Sequence, residues 1–214
     1  MLVNPFTERN LQLAAEVGVE QVVVPYPELA LDALPEQAKM VELFGMRLSV
    51  IECKLPHLKI IHGLEGQDSQ IEDIKTLLRK MADVGMEVLC YNWMPDEDWQ
   101  RTSKDLPERG GAKVTAFDLK QAGEGSMTDA DGLPPTRTPA HRLWENLKRF
   151  LDEILPTAVD CKVRLAIHPD GPPLSNLHAQ DRIITSNEAF QKVVALAPRP
   201  YNGLCYRQGA LAPA

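Results

Sequence analysis

The chain has 214 residues, 44% of them hydrophobic and 25% charged, with a formal net charge of -7 at pH 7. That length and apolar fraction suffice for a buried core, which excludes an intrinsically disordered chain. The acidic balance leaves no clustered basic face to meet a phosphate backbone, so nucleic acid is excluded as a partner and small molecules are favoured.

The N-terminus, Met1 to Glu8, has neither a basic flank nor a long apolar run, so it reads as neither a secretory signal nor a membrane anchor, and a cytoplasmic protein is expected. Cys53, Cys90, Cys161 and Cys205 form no Cys-x-x-Cys pair, which fits reduced thiols better than a zinc knuckle or a disulfide frame. Cys90 and Cys205 fall in apolar strand-like runs and are expected in the core. Leu11, Leu13, Ala14 and Val17 repeat at helical spacing from Thr7 until Gly18 stops them. Residues 21–26 read as the first strand, stopped by Pro25 and Pro27. A helix from Pro35 to Phe44, with Ala38, Met40, Val41, Leu43 and Phe44 on one face, exits at Gly45. Arg47 to Glu52 is the second strand, with His57 and His62 in the loop beyond.

Asp68 is placed to cap a helix in which Ile71, Ile74, Leu77, Leu78, Met81 and Val84 recur until Gly85. Glu87 to Trp93 reads as the third strand. The segment from about 94 to 139 is long, Gly-rich and charged, an excursion of the functional or mobile kind. Trp144, Leu147, Phe150, Leu151, Ile154 and Leu155 then mark an amphipathic helix. Val163, Leu165 and Ile167 form a fourth strand that delivers His168 and Asp170 into a turn fixed by Pro169, Pro172 and Pro173. Ser186 caps a last helix through Leu196, and residues 202–206 read as a fifth strand.

Strand and helix alternate, and no turn-linked pair of neighbouring strands is expected, the pattern of a parallel sheet with crossover helices. The fold class is α/β, a (β/α) TIM-barrel type in one domain. A complete barrel has eight strands in about 250 residues, so these five make an incomplete one. A doubly wound open sheet is the alternative, without the Gly-x-Gly-x-x-Gly turn that often marks it. Glu52, Asn92, Trp93, His168, Asp170, Asn202 and Arg207 lie at strand ends and would face one rim, where such barrels bind ligands. No phosphate cradle, nucleophile elbow or His-Glu-x-x-His is present, which leaves metal-assisted chemistry on a polar small molecule.

From Leu48 to the C-terminus the chain resembles the mannonate dehydratases of the xylose-isomerase-like barrel superfamily. The resemblance rests on Leu48 to Glu52, Gly85 to Pro95 with Tyr91-Asn92-Trp93-Met94-Pro95, and Asp98-Trp99-Gln100-Arg101-Thr102. It continues through Arg109 to Asp118, Ala166-Ile167-His168-Pro169-Asp170, Arg182-Ile183 and Asn202-Gly203-Leu204. It implies dehydration of D-mannonate to 2-keto-3-deoxygluconate in hexuronate (glucuronate) breakdown, with Mn²⁺ or another divalent ion such as Fe²⁺. It implies a lyase whose ion is held by two histidines, a cysteine and an aspartate, with a homo-oligomer possible and no membrane partner.

By the same resemblance His168 is the first histidine ligand, and Arg207 stands where the family has its cysteine. A guanidinium stays protonated and cannot replace a thiolate on a cation. Cys205, two residues earlier, is a poor substitute, and the remaining two ligands would lie after residue 214. Gly171 stands where many relatives have a second aspartate. Arg101 and Arg182 suit a sugar-acid carboxylate, with Asn92, Trp99 and Asn202 also at substrate positions and Trp99 suited to a lid or subunit contact. Asp170 is a candidate for proton transfer or for orienting His168, while Glu52 and His57 are read as pocket or support. The rivals are another metal-dependent sugar isomerase or epimerase of the same superfamily, and a non-catalytic fragment that binds sugar acids.

Overall fold

The computed structural model of the chain describes residues 1–26, 31–52, 55–95, 101–122, 137–178 and 180–211. Helix α1 (Glu8–Glu16) starts where Thr7 Oγ1 accepts a hydrogen bond from the Asn10 N–H at 3.2 Å, and it buries Leu11 and Ala14. It leads into β1 (Gln21–Val24), followed by α2 (Leu34–Leu43) with a proline in its first turn. The expected face of α2 is corrected at Leu43, which is 85% exposed, whereas Val41 is fully buried. Strand β2 (Arg47–Glu52) follows, then a short α3 (Leu58–His62) and the long α4 (Gln67–Asp83).

Helix α4 buries Ile71, Ile74, Leu77, Leu78 and Met81, as the periodicity predicts, but its start differs from the expectation. Gly66, not Asp68, holds the cap position. Asp68 instead lies in the first turn, where its charge suits the helix dipole, and pairs with Arg149 at 2.7 Å. At the other end Gly85 takes φ +73°, a left-handed turn that a residue with a Cβ adopts at a cost, and so sends the chain into β3 (Val88–Tyr91).

The excursion after β3 contains what the alternation argument did not anticipate: an antiparallel ribbon of β4 (Ser103–Pro107) and β5 (Lys113–Ala116). Its residues are mostly exposed, so its pairing leaves no strong alternation of apolar side chains in the sequence. The chain then enters α5 (Ala140–Cys161) and β6 (Arg164–Ile167). A two-residue ribbon, β7 (Asn176–Leu177) with β8 (Gln180–Asp181), precedes α6 (Asn187–Leu196). Ser186 caps α6 as read, its Oγ accepting from Ala189 N–H at 3.2 Å. Strand β9 (Asn202–Leu204) and a single turn, α7 (Gln208–Leu211), end the described chain.

The five main strands form one sheet in the order β1-β2-β3-β6-β9, and each neighbouring pair is parallel. Order along the sheet therefore follows order along the chain, as in a (β/α) barrel, but the sheet does not close: β1 and β9 stand at its two ends. Helices α4 and α5 pack on it, with Leu147, Phe150, Leu151 and Ile154 fully buried beside Leu77 and Leu78. Each such side chain contributes about 2 kcal/mol of burial, so these two helices anchor the outer layer. No described helix is long and apolar enough to cross a membrane.

Candidate functional site

Strand β6 ends at Ile167, and the backbone N–H of His168 still donates to Tyr91 O at 2.7 Å, so the imidazole is carried on the last rung of the sheet. Its two nitrogens have assignable roles. Nδ1 lies 2.6 Å from Pro169 O, an acceptor, so Nδ1 carries the proton. Nε2 lies 3.3 Å from Arg207 Nη1, and a guanidinium can only donate, so Nε2 is the acceptor. The ring is therefore fixed as one neutral tautomer whose lone pair faces Arg207.

His168 and Arg207 share a pocket of about 450 Å³ with Arg101. Its walls include Gly171, Pro172 and Pro173 from the turn after β6, and Thr115 to Phe117 at the end of β5. The antiparallel ribbon thus forms part of the site: Arg101 Nε donates to Thr115 Oγ1 at 3.3 Å, which ties the guanidinium to β5. Burial, and then the neighbouring charge of Arg207, pull Arg101 below the ordinary guanidinium value. Among the described lining residues none is acidic.

The other rim candidates go into the framework. Asp170 is fully buried; its N–H donates to Ile184 O at 2.9 Å and its Oδ2 accepts from Ile184 N–H at 3.1 Å. It clamps the turn that carries His168 to the segment after β8. Arg182, 2% exposed, reaches Pro172 O through Nη1 at 3.5 Å and so backs the pocket wall from behind. Asn92 Oδ1 accepts from Met94 N–H at 3.3 Å, folding the loop after β3 on itself.

Two expectations are corrected outright. Trp93 does not face the rim: it is fully buried, donates from Nε1 to Leu143 O at 3.0 Å, and packs its ring 5.2 Å from that of Phe150. Because β3 stops at Tyr91, strand alternation no longer governs Trp93, and the apolar face of α5 takes it. Asn202 sits at the entry of β9, level with Leu165, and its Nδ2 donates at 3.0 Å to both Val193 O and Ala197 O, so it caps the end of α6 instead of reaching the pocket.

Trp99 and Cys53 lie outside the described residues. Cys90 is buried as expected, and Cys205, only partly buried, lies just past the end of β9. A hydrogen bond with Cys90 holds the Cys205 thiol below its ordinary value, against burial and the Glu52 charge and with help from Arg207. Arg207 also lies beyond the strand, so regular alternation does not relate it to Cys205. A metal ion around His168 needs further deprotonated or neutral donors. Among the described residues no three His, Cys, Asp or Glu side chains gather to hold one, and the Nε2 lone pair already accepts from a cation. The described residues do not by themselves fit the divalent ion that the family resemblance implies.

A parallel sheet wound in chain order, with a pocket where its strands end, defines the chain as part of a (β/α) barrel. The chain belongs to the D-mannonate dehydratase (UxuA) family, whose model matches residues 10–132 and 136–213. It is 34% identical over 228 residues to the mannonate dehydratase of Thermotoga petrophila, covering 91% of this chain and 62% of that one. The crystal structure of mannonate dehydratase from Streptococcus suis serotype 2 superposes with a TM-score of 0.88 at 30% identity, covering 100% of this chain and 64% of that one. A 3-keto-D-glucoside 4-epimerase from E. coli shares the fold alone, with a TM-score of 0.62 at 13% identity over 95% of this chain and 65% of that one. The chain spans about three fifths of the length of the relatives it matches.

Proposed function

We propose that the protein is a carbon–oxygen lyase of the mannonate dehydratase type, directed at D-mannonate in the cytoplasm, with turnover impaired in the chain as it stands. The observation that carries this reading is the meeting of Arg101, His168 and Arg207 in one pocket at the end of β6. Guanidiniums present planar forks of donors that match a carboxylate. Removing the proton beside that carboxylate builds negative charge on its oxygens, and fixed positive charge there lowers the barrier. In the family reading a divalent ion such as Mn²⁺ or Fe²⁺ supplies that charge. The donors around His168 do not fit it, which leaves the two guanidiniums as the charges at hand.

Arg207 favours one alternative, a non-catalytic binder of sugar acids. The test is to incubate the chain and its Arg207→Cys variant with D-mannonate and Mn²⁺ and to measure the 2-keto-3-deoxy acid. The unmodified chain is expected to form little or no 2-keto-3-deoxygluconate, and Arg207→Cys, which restores one of the four ligands that the resemblance implies, only somewhat more. An epimerised or isomerised sugar as product would replace the lyase reading by that of a relative with different chemistry. No product from either chain would leave the binder.

A further inference from the structure

We infer that the face of the β4–β5 ribbon turned away from the pocket, centred on Leu106 and Val114, docks against the same face of a second copy of this chain. The inference is independent of the reading of the pocket. Which way each face of the ribbon looks follows from its pairing. Thr115 Oγ1 accepts from Arg101 Nε on the pocket side, so strand alternation turns Val114 to the opposite side. Leu106 is the direct cross-strand partner of Val114 and goes with it. Their chain neighbours Asp105 and Lys113 form an ion pair at 3.9 Å, and by the same alternation keep those charges on the other face.

The outward face is uncovered. Residues 104–115 are exposed without a break, with Leu106 46% and Val114 39% accessible. A single exposed aliphatic side chain needs no explanation, but here two stand side by side on a ribbon whose strands, among the described residues, pair only with each other. A lone two-stranded ribbon is marginally stable in water, and a layer packed on its apolar face is what steadies it. Charge names the occupant. Lys104 and Glu108 stand two residues to either side of Leu106; Glu108 accepts at 3.3 Å from the Arg109 N–H beside it, and among the described residues neither it nor Lys104 joins an ion pair. A two-fold axis through Leu106 brings Lys104 of each copy opposite Glu108 of the other, so the face is its own electrostatic complement. The whole chain carries a net charge of -7, so two copies repel over most of their surface. Residues 101–122 hold five Lys or Arg against three Asp or Glu, which makes the ribbon the place where two copies approach at least cost. The Glu108 N–H closes the turn on Ala112 O at 2.8 Å, so the face is presented ready-made and little order is lost on docking. A ribbon of this length buries less than a standard interface, and the dimer is accordingly weak and reversible.

The experiment is sedimentation velocity on the full chain over a hundredfold range of concentration, from micromolar upward. A monomer–dimer equilibrium is expected. Leu106→Asp should weaken the dimer at least tenfold while circular dichroism stays unchanged. Lys104→Glu should weaken it about fivefold, and adding Glu108→Lys to it, which restores the pairing in reverse, should return the dimer to within threefold of the unmodified chain. Under mild oxidation Leu106→Cys should give a covalent dimer, and Leu43→Cys, on the exposed side of α2, no more than the unmodified chain gives. A chain that stays monomeric throughout, a dimer equally strong in Leu106→Asp, or a charge swap no better than Lys104→Glu alone would overturn the inference. So would cross-linking through Tyr206→Cys, exposed beyond β9, in preference to Leu106→Cys, since that would give the interface to the open end of the sheet.

Discussion

His57 and His168 both follow strands of the same sheet and are almost equally buried, 3% and 8% exposed, yet they belong to different kinds of region. His57 spends both ring nitrogens on backbone, 2.7 Å from Leu55 O and 2.8 Å from Asn92 O, and so braces the loop after β2 to the loop after β3. Its neighbour His62 is likewise committed to the framework, with one ring nitrogen on the side-chain Thr138 Oγ1 and the other on Pro95 O. Trp93 stands against His57 edge-on and closes this region onto α5. His168 spends one nitrogen on backbone and turns the other to a charged side chain in an open pocket. What separates a structural histidine from a candidate site histidine is therefore the partner of its second nitrogen, not its burial.

The largest effect should come from cutting the brace. His57→Ala takes the imidazole from Asn92 O, leaves Leu55 O only its bond from the His57 backbone N–H, and opens a space beside Trp93, and is expected to cost about 3 kcal/mol. His168→Ala, in the wall of an open pocket, should cost less than about 1 kcal/mol. Urea denaturation of the two variants decides it, and equal losses would break the comparison.

Next in size is the anchor between the pocket wall and the helical layer. Asp181 accepts from the Ala140 N–H at 2.9 Å, capping the start of α5, and pairs with Arg137 and Asn176. Burial works against its charge, but the Ala140 N–H, Asn176 and Arg137 outweigh it and hold the carboxyl below its ordinary value. A group lowered on folding adds stability that is complete above its unfolded value and lost as the pH falls through the folded one. Asp181→Asn should thus cost about 1 kcal/mol at neutral pH, and its unfolding free energy should fall less steeply than that of the parent as the medium is acidified below the ordinary carboxylate range. A parallel acid limb in parent and variant would contradict the anchor.

The smallest effect has the opposite sign. Tyr91 is buried at the end of β3 with its ring 5.2 Å from that of Phe150, and its hydroxyl has no hydrogen-bond partner among the described residues. Burial pushes that hydroxyl far above its ordinary value. Tyr91→Phe removes an unsatisfied polar atom and should stabilise the brace by up to about 1 kcal/mol, read as a small rise in Tm. A loss of stability would mean that the hydroxyl is satisfied in solution, for example by a buried water.

Apart from the short α3, which stands where a loop holding His57 and His62 was expected, the five parallel strands, the longer helices between them and the turn that carries His168 could be read from the sequence. Each is written in local terms: alternating or continuous apolar runs, a cap such as Thr7 or Ser186, a glycine at an exit, prolines in a turn. Arg207 beside His168 was also legible as an anomaly, because it interrupts a motif that the rest of the chain follows. Only the tertiary structure decided where the polar side chains of the rim point. Trp93 meets a carbonyl 50 residues away, Asn202 meets the end of a helix instead of the pocket, and the exposed ribbon of β4 and β5 brings Thr115 to Arg101. The physical reason is that apolar burial is non-directional and follows the period of the element, whereas a hydrogen bond is settled by whichever partner the folded chain brings within about 3 Å.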